Sequence, residues 1–232
     1  MSEILVRLNS VITEIAAAAA GYGRDVATVE LIAVSKTHSP EAIMEVIDAG
    51  HLIFGESRVQ EARAKIPLLP AKARWHFIGH LQKNKIRQAL PIFELFHGVD
   101  SLELARDIDR IAEECGARPR ILLEVNVAGE ASKFGFKPDV LRRDLEDLLA
   151  LNRLQIEGLM TIPPIAKEAE SSRKYFSALR ELRDNLQGEY RVPLGELSMG
   201  MSNDFAVAIA EGATMVRVGA AIFGERGRKI KS

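Results

Sequence analysis

The sequence predicts an α/β fold: a single (β/α)8 barrel of the TIM type with an extra helix at its N-terminus. Short apolar runs without polar alternation recur eight times, which is typical of parallel strands covered on both faces. A stretch with helical periodicity or helix-capping residues separates each run from the next. Eight such units in 232 residues favour a closed barrel. An open doubly wound sheet is the alternative, but no Gly-x-Gly-x-x-Gly follows the first strand.

Strands are predicted where apolar runs end at glycine, proline or a polar residue. The run from Leu31 to Val34 is the first, and the run from Leu52 to Phe54, closed by Gly55, is the second. In chain order, the predicted strands cover residues 31–35, 52–54, 74–78, 93–96, 120–127, 154–160, 196–198 and 214–218.

Helices are predicted from their capping signals. Ser39 as N-cap, Pro40 at the first helical position and Glu41 in the first turn begin the helix after strand one, and Gly50 ends it. Ser101 caps a later helix in the same way. After an amphipathic helix at the N-terminus, the predicted helices cover residues 40–49, 57–65, 84–90, 101–114, 138–150, 168–185 and 203–211.

Composition bounds the class of protein. The hydrophobic content of 47% and charged content of 27% are ordinary for a globular protein, and no linker divides residues 1–232, so one domain is expected. A net charge of −1 argues against general binding to nucleic acid or to an anionic membrane. Cys115 is the one cysteine, which excludes an internal disulfide framework. We find no targeting segment in the sequence and therefore expect a cytoplasmic protein.

Lys36 is the first candidate for chemistry. It stands between the end of a core strand and the start of the helix that Ser39 caps. The carboxyl end of a barrel strand aims such a side chain into an open mouth. An amine held against an apolar floor loses hydration, its pKa falls, and it becomes able to form a Schiff base with an aldehyde. The alternative is an ordinary solvated lysine after a strand.

The ends of strands seven and eight are the expected anion site of a barrel. The loop Leu197-Ser-Met-Gly-Met-Ser-Asn-Asp204 offers hydroxyl groups and backbone N–H groups, and Gly219 lets the backbone approach a ligand. Arg217, in the last strand, is expected to point into the mouth. The alternatives are a plain helix cap around Ser202 or Asn203 and, for Arg217, an ion pair with a carboxylate such as Glu124.

These motifs together resemble one family, the pyridoxal phosphate homeostasis proteins, which are related in fold to the N-terminal domain of alanine racemase. The resemblance covers nearly the whole chain. It rests on segments 33–36, 55–61, 75–79 with 81–85, 99–101, 125–126 with 129–135, 158–161, 197–204 and 216–219 with 223–224.

The resemblance implies that Lys36 holds pyridoxal 5′-phosphate as an internal aldimine and that Arg217 faces the pyridine nitrogen. It implies that the phosphate is held by Ser198 and by the backbone around four further residues, and that Met160 belongs to the cofactor-binding set. The four backbone positions are Met199, Gly200, Gly219 and Ala220.

The sequence departs from the family pattern at Ser57, where asparagine is frequent, and at His80, where proline is frequent. The resemblance implies a protein that stores, buffers or delivers the cofactor within vitamin B6 homeostasis, as a monomer or weak dimer, with apo enzymes that use the cofactor as partners. No efficient catalysis is expected, because an arginine at the pyridine nitrogen weakens the ring as an electron sink. The alternatives are a small pyridoxal phosphate-dependent amino-acid racemase and a Schiff-base aldolase without cofactor.

Overall fold

The computed structural model describes residues 2–224, and in it eight parallel strands close into a barrel in chain order. The predicted fold class is confirmed. Each strand pairs with its neighbours in sequence, and the last pairs with the first. The strands are β1 (Glu30–Val34), β2 (Ile53–Glu56), β3 (Arg74–Phe77), β4 (Leu95–Val99), β5 (Arg120–Glu124), β6 (Gln155–Met160), β7 (Glu196–Met201) and β8 (Met215–Val218).

Helices surround the barrel, and three of those in the described residues begin at a serine whose side chain caps the first turn. The side chains of Ser39 and Ser101 accept hydrogen bonds from the backbone N–H groups three residues on. The helices are α1 (Glu3–Gly21), α2 (Pro40–Asp48), α3 (Val59–Lys65), α4 (Ile86–Ala89), α5 (Leu102–Cys115), α6 (Pro138–Leu149), α7 (Arg173–Tyr190), α8 (Phe205–Ala210) and α9 (Ala220–Phe223).

The extra helix α1 buries Leu8, Val11, Ile15 and Ala19, and it packs against α8 and α9 on the outside of the barrel. By length and composition, it is also the one helix among the described residues that could cross a membrane. Its apolar face is already used in packing on the barrel, as the predicted amphipathic pattern requires.

Two strands differ from the prediction in a way that matters for the site. β7 runs to Met201 rather than ending at 198, and β4 covers 95–99 rather than 93–96. Glycine normally predicts a break in a strand, yet Gly98 and Gly200 lie inside these two. A Cβ at position 98 would lie 2.6 Å from the carbonyl oxygen of Gly79, so only glycine permits this close approach.

Other boundaries shifted by a few residues. β5 ends at Glu124 rather than 127, and residues 169–172 form a 3₁₀ turn before α7 begins at Arg173. The short helix predicted at 84–90 is a 3₁₀ turn followed by α4. The two differences at helices arise because helix ends readily adopt the tighter 3₁₀ geometry.

The interior of the barrel is layered. Arg74 and Arg120 at its amino-terminal end pair with Glu94 at 2.8 and 2.6 Å, and Arg120 also pairs with Glu157 at 2.6 Å. We call these four residues the ionic ring. Above it lies an apolar cluster of Ile32, Leu95, Leu122, Met160 and Met215. Polar side chains follow toward the carboxyl-terminal end, where the site is found.

Candidate functional site

A cavity of about 490 Å³ opens at the carboxyl-terminal ends of the strands, and we call it the mouth cavity. Its size suits a small organic ligand. Loops after β1, β6, β7 and β8 line it, so it lies where barrel proteins bind their ligands. Four residues of the predicted site line this cavity: Lys36, Arg217, Gly219 and Ala220.

Lys36 is the second residue after β1, and it is half-buried. The following residue, Thr37, has a φ of 70°, which is unusual for a side chain branched at Cβ. The turn therefore needs outside support. A buried ammonium group supplies it: Lys65 Nζ donates to the carbonyl oxygens of Ser35 and His38, each at 3.1 Å.

Two carboxylates complete this support. Lys65 Nζ lies 2.9 Å from Glu56 Oε1 and 2.8 Å from Glu61 Oε1. Ser35 Oγ donates to Glu56, and the backbone N–H of Thr37 donates to Glu61. Burial raises the pKa of Glu56, while the hydrogen bonds from Ser35 and Lys65 act in the opposite direction. The turn that carries Lys36 is thus anchored from below.

Arg217 is 4% exposed and lies on β8 with its guanidinium inside the barrel. Its Nη1 donates to Ser198 Oγ at 2.5 Å, and its Nη2 donates to the carbonyl oxygen of Thr161 at 3.0 Å. Burial lowers the pKa of Arg217 to about 10, against the opposing field of Glu124 and Asp204, so it remains charged at neutral pH. Its hydrogen bonds go to a hydroxyl and a carbonyl rather than to Glu124, the partner in the alternative interpretation.

Three predicted site residues of β7 do not line the mouth cavity. Ser198 is fully buried in the interior, and Met199 packs into the outer core between strands and helices. A Cβ at Gly200 would lie 2.5 Å from the Cβ of Ala208, so this glycine allows close packing on α8. Met160 belongs to the apolar interior cluster beneath the cavity. The cofactor contacts predicted for these four residues stay predictions.

Ser202 lines the mouth cavity instead, directly after the end of β7. Its Oγ lies 3.3 Å from the backbone nitrogens of Gly219 and Ala221, which donate to it. Ser202 is thus the hydroxyl of this loop that lies at the cavity wall and accepts hydrogen bonds from two backbone amides. The sequence contains the signal for it, a second serine in the same loop, but the family resemblance implied Ser198 as the phosphate contact.

The sequence reasoning also missed two buried histidines. His97 Nδ1 lies 2.8 Å from Ser198 Oγ, and His97 Nε2 lies 3.1 Å from His76 Nδ1. Both histidines are fully buried. Burial is the main cause that lowers the pKa of His76 to about 4 and the pKa of His97 well below its usual value. Both are therefore neutral imidazoles at physiological pH.

A smaller cavity of about 160 Å³ adjoins the mouth cavity and shares Lys133 and Ile162 with it. Glu124, 8% exposed, lines it, and burial raises the pKa of this carboxyl to about 7. Asn126 lies beside it with a buried side-chain oxygen that has no hydrogen-bond partner. This side of the mouth therefore offers hydrogen-bond acceptors.

The two departures from the family pattern, Ser57 and His80, line a different surface pocket. His80 Nδ1 lies 2.8 Å from Asp100, and the His80 ring stacks on Phe134 at 3.9 Å. Within residues 2–224, no group of three or more histidine, cysteine, aspartate or glutamate side chains has the arrangement of a metal site.

Comparison of the sequence with known families matches residues 14–227 to the alanine racemase N-terminal domain. Curated relatives named pyridoxal phosphate homeostasis protein include one from Aquifex aeolicus, 45% identical over 95% of this chain and 97% of the relative. Another, from Escherichia coli, is 39% identical over 97% of this chain and 98% of the relative.

Solved structures agree with these matches. PipY of Synechococcus elongatus, whose structure has pyridoxal phosphate bound, is 43% identical with a TM-score of 0.80, over 90% of this chain and all of PipY. An alanine racemase from Clostridium difficile is 17% identical with a TM-score of 0.71, over 97% of this chain and 57% of the racemase. That second likeness is one of fold.

Proposed function

Because this chain belongs to the alanine racemase N-terminal domain family, as one of its pyridoxal phosphate homeostasis proteins, we propose that it binds pyridoxal phosphate in the mouth cavity. It holds the cofactor for intracellular vitamin B6 homeostasis, by storage, buffering or delivery. The observation that carries this proposal is the meeting of Lys36, Arg217 and the Ser202 loop around one cavity.

Lys36 is the residue proposed to attach the cofactor. A bound pyridoxal phosphate supplies a reactive aldehyde on an electron-withdrawing ring. A half-buried amine at the end of a strand suits attack on that aldehyde. The anchored turn supports the proposal, because Lys65 holds the carbonyl groups on both sides of Lys36. The main chain at the point of attachment is thereby kept in one conformation.

The phosphate group would be held by the loops after β7 and β8. Ser202 offers a hydroxyl, and Gly219 and Ala220 offer backbone at the cavity wall. Two backbone N–H groups already converge on Ser202 Oγ, which supports an anion-binding arrangement there. Pyridoxal without phosphate is expected to bind far more weakly than the phosphorylated form.

Arg217 gives the physical reason for binding without efficient turnover. A guanidinium that stays charged disfavours a second positive charge on a ring nitrogen beside it. A ring whose nitrogen stays unprotonated withdraws electrons weakly, so it supports little chemistry on a bound amino acid. The family's name as homeostasis proteins agrees with this reading.

The racemase alternative needs a second base on the opposite face of the substrate. The tyrosines are Tyr22, Tyr175 and Tyr190, and none of them lines the mouth cavity in the part of the chain that the structure describes. No observation favours an aldolase either. We further propose that the chain is cytoplasmic, is a monomer or weak dimer, and delivers cofactor to apo enzymes that require it.

The test is borohydride reduction of the holo-protein, with mass mapping of the modified lysine. Lys36→Ala is expected to lose the trapped adduct, whereas Lys133→Ala, a control on the other wall of the cavity, keeps it. A fully retained adduct in Lys36→Ala would overturn the attachment.

Turnover is tested separately by incubating the holo-protein with L- and D-amino acids in deuterated water. Deuterium uptake at Cα or rapid inversion that depends on Lys36 would favour the racemase. Activation of an apo enzyme faster than free cofactor explains supports delivery.

A further inference from the structure

Four buried polar side chains form a continuous hydrogen-bonded chain from the mouth of the barrel toward its centre. Arg217 Nη1 lies 2.5 Å from Ser198 Oγ, Ser198 Oγ lies 2.8 Å from His97 Nδ1, and His97 Nε2 lies 3.1 Å from His76 Nδ1. None of the four is more than 4% exposed. They come from β8, β7, β4 and β3, so the chain crosses the barrel interior.

One assignment of the hydrogen-bond directions gives the Arg217 N–H and the Ser198 hydroxyl hydrogen each an acceptor. Arginine has only donors, so the Ser198 oxygen must accept from Arg217. The Ser198 hydroxyl hydrogen is then free to donate to His97 Nδ1, which makes His97 the tautomer protonated at Nε2. That N–H donates to His76 Nδ1, which makes His76 protonated at Nε2 as well. His76 Nε2 is buried without a partner, so the chain ends there.

Burial is the main cause that keeps both histidines neutral, and the charges around the chain act on them as well. Arg74 and Arg120 of the ionic ring disfavour a charge on His76, and Glu94 acts against them. Arg217 and His76 disfavour a charge on His97. Above the chain, Glu124 and Asp204 face the guanidinium. A proton added to either histidine would break a link, because an imidazolium has no acceptor nitrogen.

We infer that Ser198, His97 and His76 are positioning residues for Arg217: the chain fixes the guanidinium so that its remaining N–H groups meet the ring of the bound cofactor. This rests on the proposed function. Arg217 is tied on one side to Ser198 and on the other to the carbonyl oxygen of Thr161, so its plane is set by two acceptors. By accepting the Ser198 hydrogen, His97 Nδ1 fixes the rotamer that holds the Ser198 oxygen toward Arg217.

Position 97 allows a matched pair of variants. The amide oxygen of asparagine reaches the place of histidine Nδ1, so His97→Asn keeps an acceptor for Ser198. The amide nitrogen of glutamine reaches the place of Nε2, so His97→Gln keeps the donor to His76 and loses that acceptor. His51→Gln is the control, because His51 bonds to the carbonyl oxygen of Ile53 outside the chain.

Two measurements test the inference. In the apo-protein, ¹⁵N NMR of the histidine rings is expected to show His97 and His76 as neutral tautomers protonated at Nε2. In the holo-protein loaded with ring-¹⁵N pyridoxal phosphate, Ser198→Ala and His97→Gln are expected to release cofactor roughly 10- to 150-fold faster, the loss of one charge-assisted hydrogen bond. The pH midpoint of ring-nitrogen protonation is expected to rise by about one unit in both.

His97→Asn is expected to recover most of the effect, and His51→Gln to behave as wild type. A His97 ring protonated at Nδ1, or a His97→Gln protein with the release rate and ring titration of His51→Gln, would overturn the inference while cofactor binding stands. A wild-type protein that retains no cofactor would instead overturn the proposed function, whatever tautomers the apo-protein shows.

Discussion

Removing the ammonium group of Lys65, beneath the turn that carries Lys36, should lower the free energy of unfolding more than replacing a surface lysine does. In Lys65→Met, the carboxylate of Glu56, which is fully buried, loses its charged partner at 2.9 Å. Breaking a buried pair in this way costs about 3–5 kcal/mol of unfolding free energy. The carbonyl oxygens of Ser35 and His38 lose their donor in the same step.

The pH dependence of this loss has a definite sign. Burial already raises the pKa of Glu56, and without Lys65 it should rise further. A carboxyl group with a raised folded-state pKa stabilises the fold below its unfolded pKa, and that contribution is lost as pH rises through the folded pKa. The deficit of Lys65→Met should therefore be largest near pH 8 and shrink as the pH falls toward 5.

Urea unfolding at both pH values, followed by circular dichroism, measures the effect. Adding Glu56→Gln to Lys65→Met should restore about 1–3 kcal/mol at pH 8, because the uncompensated charge is gone. Lys72→Met, at an exposed turn, is the control and should stay within about 0.5 kcal/mol of wild type. A Lys65→Met protein as stable as this control would refute the reasoning.

Three further predictions concern the site and the barrel. Ser202→Ala should weaken retention of pyridoxal phosphate by about 1.5–3 kcal/mol, measured by equilibrium dialysis, and leave the affinity for pyridoxal unchanged; an equal loss for both ligands would count against the anion site. Gly158→Ala should lower the free energy of unfolding, measured with urea, by about 3 kcal/mol, because its Cβ would lie 1.9 Å from the carbonyl oxygen of Glu196. The control Gly188→Ala has open space around the new Cβ and should stabilise its helix by about 0.5–1 kcal/mol. Glu124→Gln should raise the free energy of unfolding by about 3 kcal/mol at pH 8 and leave it unchanged near pH 4. The reason is that the folded-state pKa of about 7 makes ionisation of this carboxyl cost stability as the pH rises. Equal gains at both pH values would contradict this.

The barrel could be predicted from the sequence because its signals are local. The caps at Ser39 and Ser101 and the eight apolar runs depend on neighbouring residues, and they hold in the structure. Lys36 could be placed for the same reason, since the end of β1 and the start of α2 bracket it. What could be predicted is what short segments decide on their own.

The rest depends on contacts between distant segments. Gly98 and Gly200 stay within strands because neighbouring backbone approaches them, and no local pattern announces that approach. The longer β7 turns Ser198 into an interior residue and leaves Ser202 at the mouth. His97 belongs to the site because β4 places its side chain in the barrel interior, within hydrogen-bond distance of Ser198. His97 and Ser198 are 101 residues apart in the sequence, so no local pattern indicates that they are in contact.

The ionic ring has a consequence for how a ligand enters and leaves the barrel. Arg74, Glu94, Arg120 and Glu157 pair at the amino-terminal end of the barrel, a buried apolar cluster fills the interior above them, and the mouth cavity opens at the other end. A ligand that enters through the mouth cavity must also leave through it, so binding and release use the same opening. The mouth cavity can then exchange its ligand only after the bound molecule has left. Under the proposed function, the cofactor would therefore enter and leave through the mouth cavity, and one molecule would have to leave before the next could bind.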